Sequence, residues 1–209
     1  MAYQRGISNN RGQFLLQTLQ VFFVGLIIGM ERNVLPAMSR NFGVAKGAVF
    51  FLASFVISFG LVKGVLNFVA GSLADRIGRK PPIVLGFFLL AAGLMGTALV
   101  TRFDTWIITA AVMGMGMALL YPNLIAAMSD ITPPLERGQI LGIYRYWRDT
   151  GYAIGGLILG LVAQWSGEII PAIWLTAGIV ALSGLWIALA VQETHPRNPA
   201  HLNKRPYFS

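Results

Sequence analysis

Charged and amide side chains inside long apolar stretches are the residues of this sequence best placed for chemistry. The set consists of Glu31, Arg32, Lys63, Asn67, Arg145, Arg148 and Asp149. A charge in the hydrocarbon core of a membrane is costly, so such a residue by default lines a pathway or pairs with another charge. Four members of the set are basic and two are acidic. This surplus favours either an anionic substrate or acids supplied by a second protein segment.

Helical periodicity collects the polar residues of each stretch on one face. Lys63 and Asn67 are one turn apart, and Arg145, Arg148 and Asp149 lie within one arc. Similar predicted depths would allow Lys63 to pair with Asp149, and these two with Arg145 are the strongest candidates for a substrate cavity. The plainer interpretation is that the charges form ion pairs between helices, with Arg145 and Arg148 extending their charged ends to the membrane surface.

The first apolar stretch carries a further polar stripe, made of Gln17, Gln20 and Glu31 with Arg32 at its border. A helix with such a face is predicted to turn that face away from lipid. The third and sixth stretches contain no charged residue. We therefore expect these two to face lipid.

Six apolar stretches must position these residues. They are residues 14–38, 47–70, 82–100, 105–128, 139–164 and 171–191. A membrane-spanning helix needs about 20 apolar residues. The composition, with 56% hydrophobic and 11% charged residues among 209 and a mean hydropathy of +0.65, is not that of a soluble domain. The sequence therefore predicts an all-α membrane protein in which six transmembrane helices form one bundle over 14–191.

The basic residues of the predicted loops indicate the orientation of the bundle. Most of them fall on the side of the two termini, which by the positive-inside rule is the cytoplasm. Residues 1–13 and 192–209 are thus predicted to be cytoplasmic, and the expected location is the plasma (inner) membrane. The net charge of +8 then reflects topology and not a nucleic-acid partner. His195 and His201 are expected to be solvated in the tail.

The predicted loop after the second stretch reads G-S-L-A-D-R-I-G-R-K over residues 71–80. It resembles the loop signature of the major facilitator superfamily, G-x-L-A-D-R-x-G-R-[KR]. The matching residues are Gly71, Asp75, Arg76, Gly78, Arg79 and Lys80.

The resemblance implies a gate at the cytoplasmic surface. In that family the acid, here Asp75, caps a helix of the other half of the transporter, and the arginine, here Arg79, pairs with an acid at the end of the fourth span. Asp130 stands at that position. The alternative is a surface ion pair, which contributes about 0 to 1 kcal/mol.

The fifth stretch has a partial resemblance to the antiporter signature of the same superfamily. It rests on Gly142, Gly151, Gly155 and Gly160. Close packing of helices through small residues accounts for these glycines equally well.

The resemblance implies the N-terminal half of such a fold, built as a 3+3 helix repeat. Its function would be secondary, gradient-driven transport of small solutes by alternating access. The missing half would come from a second copy or from a separate chain. The alternative is a truncated or regulatory membrane protein that associates with another transporter and does not transport. Phosphate-loop, nucleophile and dinucleotide fingerprints do not occur in the sequence, so we expect no enzyme, cofactor or metal site.

Overall fold

In the computed structural model the backbone is described for residues 10–41 and 48–195, and the side chains for 10–29 and 50–195. This part of the chain consists almost wholly of helix and contains no strand, which confirms the all-α prediction. A short 3₁₀ turn, Pro134–Glu136, precedes the fifth helix. The helices are α1 (Arg11–Asn41), α2 (Ala48–Ile77), α3 (Lys80–Ala98), α4 (Phe103–Asp130), α5 (Arg137–Ser166) and α6 (Ile170–Ala190).

Five of the described helices are long and apolar enough to cross a membrane, namely α1, α2, α3, α4 and α6. The fifth helix, α5, is equally long at 30 residues. It is less apolar because its first half carries Arg137, Arg145, Arg148 and Asp149. The fifth predicted span therefore forms a helix, but its passage through the membrane stays a prediction.

Helix packing follows a repeating scheme. The most extensive contacts join α1 to α5, α2 to α4, and α3 to both α4 and α6. If α1, α2 and α3 are superimposed in order on α4, α5 and α6, the α1–α5 pair becomes the α4–α2 pair, and α3–α6 becomes itself. The α3–α4 contact, by contrast, becomes the α6–α1 contact, which is much less extensive, so the 3+3 repeat stays a prediction.

Glycines bring the backbones of α1 and α5 into direct contact. A methyl group added to any of four glycines would overlap a backbone carbonyl of the opposite helix. Two of the four, Gly151 and Gly155, belong to the partial antiporter match, whereas Gly142 and Gly160 of that match face open space. The overlaps are Gly25 with Arg148, Gly29 with Tyr152, Gly151 with Phe22, and Gly155 with Leu26. This contact fixes the position of the charged arc of α5 relative to α1.

The apolar core of the described residues is one cluster to which all six helices contribute. Trp106 of α4 is fully buried, stacks on Phe51 and donates its indole N–H to the Phe51 carbonyl over 3.1 Å. On the far side, α3 and α6 pack together through Gly184 and Phe87. The outward faces of α3 and α6 are apolar and exposed, as expected of helices that face lipid.

Candidate functional site

Arg79 lies between two carboxylates at the end of the bundle where α2, α3 and α4 meet. Its Nη1 is 2.9 Å from Asp75 Oδ1, and its Nε donates to Asp130 Oδ2 over 3.1 Å. The side chains of Arg79 and Asp130 are only 13% and 16% exposed, whereas Asp75 is 58% exposed. The predicted contact between Arg79 and Asp130 is therefore present and partly shielded from solvent.

A third carboxylate, that of Glu193, completes this site from the segment after α6. It accepts the backbone N–H groups of Arg79 over 2.8 Å and of Lys80 over 2.9 Å, which open α3. An anion at a helix N-terminus binds unsatisfied N–H groups and interacts favourably with the helix dipole. We call Asp75, Gly78, Arg79, Asp130 and Glu193 the loop cluster.

Gly78 makes the turn between α2 and α3. Its φ is +100°, a conformation that strongly favours glycine. A Cβ at this position would also overlap the carboxylate of Glu193. Gly78 is thus required both by the turn and by the approach of Glu193.

His195 is not solvated, so the prediction for this residue is wrong. It is buried, its backbone N–H donates to Glu193 Oε1 over 2.9 Å, and its Nε2 is 3.9 Å from Asp75 Oδ1. The reason is that residues 192–195 turn back onto the α2–α3 loop, whereas sequence reasoning treated them as the start of a free tail. His201 lies outside the described residues.

Behind the loop cluster is a small cavity whose lining is mainly apolar but includes several polar side chains. Gln17 and Gln20 of α1 line it and are 2% and 1% exposed, and Arg79 and Thr194 line it too. Within the described chain, the amide atoms of both glutamines and the hydroxyl of Thr194 have no hydrogen-bond partner. Buried polar groups without partners are costly, and the cavity has room for about one water molecule, which could bond these groups.

A second group of polar residues lies midway along the helices. The Lys63 ammonium sits over the rings of Phe59 and Tyr121, at 5.7 and 5.5 Å from their centres. Arg148 Nη1 donates to the Tyr121 hydroxyl over 3.1 Å, and its Nη2 is 2.8 Å from Asp149 Oδ1. Because Asp149 bonds Arg148, the Lys63–Asp149 ion pair considered from sequence does not form.

Tyr144 adds a buried hydroxyl to this group. Its ring packs edge-on against Tyr121 at 6.1 Å, and its hydroxyl has no hydrogen-bond partner among the described residues. We call Lys63, Tyr121, Tyr144, Arg148 and Asp149 the mid-helix cluster.

The remaining candidate residues are less closely associated. Asn67 and Arg145 are exposed on α2 and α5. Gly71 and Arg76 lie on the last turns of α2. The side chains of Glu31 and Arg32 lie outside the described residues.

The sequence was then compared with known proteins. A model of the Major Facilitator Superfamily matches residues 18–207. The chain belongs to this superfamily. It is accordingly a multi-pass membrane protein of a transporter family whose members are generally not enzymes, and the expected location in the inner membrane agrees with this.

Three curated relatives of the chain carry names of resistance proteins. Multidrug resistance protein MdtH of Photorhabdus laumondii is 32% identical over 163 residues, which are 75% of this chain and 39% of the relative. Multidrug resistance protein 2 of Bacillus subtilis is 24% identical over 196 residues, or 92% and 48%. Quinolone resistance protein NorA of Staphylococcus aureus is 24% identical over 152 residues, or 73% and 38%. The chain thus spans less than half the length of these superfamily members.

Sequence reasoning found the superfamily loop but missed two of its partners. Glu193 is an isolated acid after an apolar run, and no spacing rule connects it to residue 79. His195 was dismissed for its polar surroundings. An acid directly after a span, on the side predicted for a signature loop, is the only signal that pointed to Glu193.

Proposed function

We propose that the chain forms one part of a gradient-driven transporter in which the loop cluster is the cytoplasmic gate. The observation that carries this proposal is the position of Arg79. It connects the end of α2 to the end of α4, while Glu193 attaches the segment after α6 to the start of α3. Loss of these bonds would free three helix ends at once, which is what opening one side requires.

Alternating access needs a second six-helix unit beside these helices. The open surface of α2 supports this. This helix is mostly exposed, and Gly60 and Gly64 have no atom within 4 Å of an added methyl group, so another helix could approach closely there. The mid-helix cluster borders the same side and would face the substrate path.

The names of the relatives suggest what is carried. Each is described as a resistance protein for drugs or quinolones. We extend this to export of small organic solutes as the activity of the assembled transporter.

The competing proposal is a non-transporting membrane protein that binds another transporter. The same exposed face of α2 favours it, because that face suits assembly of either kind. Native mass spectrometry of the protein in nanodiscs separates the two. A homodimer, or a complex with a complementary six-helix chain that moves solute in vesicles, supports transport. A stable complex with a complete transporter, without solute movement of its own, supports the regulatory role.

The gate is tested by cysteine labelling, for which the chain is convenient because it contains no cysteine. A cysteine at Ala127, which is buried beside the loop cluster, is probed with a membrane-impermeant maleimide from the cytoplasmic side. We expect Asp130→Asn to raise the labelling rate several-fold and Asp75→Asn, at an exposed acid, to raise it less.

Arg102→Gln is the matched control. Arg102 also pairs with an aspartate, Asp104, over 3.0 Å, but both side chains are largely exposed and lie at the opposite end of α4. Equal labelling of the Asp130→Asn and Arg102→Gln variants would contradict the gate.

A further inference from the structure

Lys63 lies near the middle of α2, with 15 residues before it and 14 after it in the helix. Within the apolar stretch 47–70 it lies seven residues from the end nearer the loop cluster, which is roughly 10 Å at about 1.5 Å per residue. No carboxylate lies within ion-pair distance of its ammonium in the described part of the chain. The ring faces of Phe59 and Tyr121 stabilise a cation only partly. A charge at this depth calls for an anionic partner.

The acid of the mid-helix cluster does not meet this demand. Asp149 accepts two bonds from Arg148, from Nε over 2.9 Å and from Nη2 at 2.8 Å, and it is 66% exposed. The remaining nitrogen of the Arg148 guanidinium, Nη1, donates to the Tyr121 hydroxyl. Arg148 and Asp149 thus neutralise each other and fix Tyr121, while no carboxylate among the described residues compensates the charge of Lys63.

Two features add to the preference for an anion. The buried Tyr144 hydroxyl has no partner among the described residues, so a donor is available next to Tyr121. The faces of Phe59 and Tyr121 are turned to the Lys63 ammonium, so an organic cation would have to displace a like charge to reach them. An aromatic anion would instead pair with Lys63 where it lies and contact the edges of the same rings.

We propose that the mid-helix cluster is an anion site that takes aromatic carboxylates, with Lys63 as its charge partner and Phe59 and Tyr121 as its ring contacts. This inference rests on the proposed function and names the substrate class of the same pathway. The acids of a second unit could also neutralise Lys63, and the experiment below distinguishes the two cases.

The test measures binding of three naphthalene probes to the full-length protein in nanodiscs, by calorimetry. The probes are 2-naphthoate, 2-naphthamide and a naphthyl trimethylammonium ion. We expect 2-naphthoate to bind about tenfold more tightly than the other two probes, because one charge-assisted contact contributes about that much affinity. Lys63→Met should abolish this preference, while Lys63→Arg should retain it. Circular dichroism checks that each variant is folded.

Arg102→Met, which removes a charge at an exposed site on the opposite end of α4, should leave all three affinities unchanged. Equal binding of the three probes, or 2-naphthoate binding that survives Lys63→Met, would overturn the proposal. Either result would favour neutralisation of Lys63 by acids of a second unit. Binding of 2-naphthoate in a protein whose gate does not respond to Asp130→Asn would instead contradict the proposed function and retain the site.

Discussion

The loop cluster and the mid-helix cluster both contain charged side chains, but these side chains differ in how completely they are paired. In the loop cluster Arg79 bonds two carboxylates, and the carboxylate of Glu193 accepts two N–H groups of the α3 start. In the mid-helix cluster the described neighbours of the Lys63 charge are two aromatic faces, and the Tyr144 hydroxyl has no hydrogen-bond partner among the described residues. A satisfied polar network fixes a structure, whereas an incompletely satisfied one gains energy from a ligand. From this contrast we infer that the loop cluster holds the helix ends together and that the mid-helix cluster binds a ligand.

The two clusters also depend on different parts of the fold. The loop cluster is built from helix ends, which the turn between α2 and α3, the end of α4 and the segment after α6 bring together. The mid-helix cluster depends on the lateral packing of α2, α4 and α5, which the glycine contacts of α1 and α5 maintain. Substitutions can therefore disturb one cluster and spare the other.

The largest effect is expected from Gly151→Leu. The new side chain would overlap the Phe22 backbone, and overpacking of this kind costs about 1 to 3 kcal/mol or more. We expect a marked loss of folded protein, measured by denaturant unfolding and by size-exclusion chromatography in detergent. Gly142→Leu, on the same helix but facing open space, is the control. Equal stability of the two variants would show that backbone contact between α1 and α5 does not hold the mid-helix cluster in place.

Arg79→Met is expected to have the next largest effect. It leaves Asp130, which is 16% exposed, without this cation, and loss of one partner of a buried pair costs up to about 3 to 5 kcal/mol. Since this pair is partly exposed, the loss should lie below that range. Arg102→Met removes an equally short but exposed pair and should cost no more than about 1 kcal/mol. If thermal unfolding shows the same cost for both, the loop cluster does not hold the helix ends.

Gly78→Ala tests whether Glu193 belongs to the loop cluster. An alanine at φ +100° is strained by about 1 to 2 kcal/mol, and its Cβ also meets the Glu193 carboxylate. We expect the loss of unfolding free energy to be smaller in a Glu193→Ala background, because the overlap is then absent. A double-mutant cycle measures this coupling. Additive effects would mean that only the backbone conformation matters.

The sequence alone predicted the helices and the contact between Arg79 and Asp130, each for a different physical reason. The thickness of the bilayer sets the length of an apolar span, so spans such as α3 and α6 can be predicted from the length of their apolar stretches. The Arg79–Asp130 contact was accessible because it followed from a loop signature. The Lys63–Asp149 pair was not, since depth along a helix says nothing about its rotation. The fold turns Lys63 toward Tyr121 and gives Asp149 to the adjacent Arg148. Glu193 needed the path of the chain after α6, which no local pattern encodes.

The smallest predicted effect separates the two roles of Tyr121. Tyr121→Phe removes the hydroxyl that accepts from Arg148 but keeps the ring under Lys63, so the unfolding free energy should fall by only about 0.5 to 1.5 kcal/mol. Tyr121→Leu removes both and should weaken 2-naphthoate binding as well. If Tyr121→Phe weakens binding as much as Tyr121→Leu, the hydroxyl network and not the ring orders the cation. The mid-helix cluster would then resemble the loop cluster, a fixed polar network, and the contrast between holding and binding would fail.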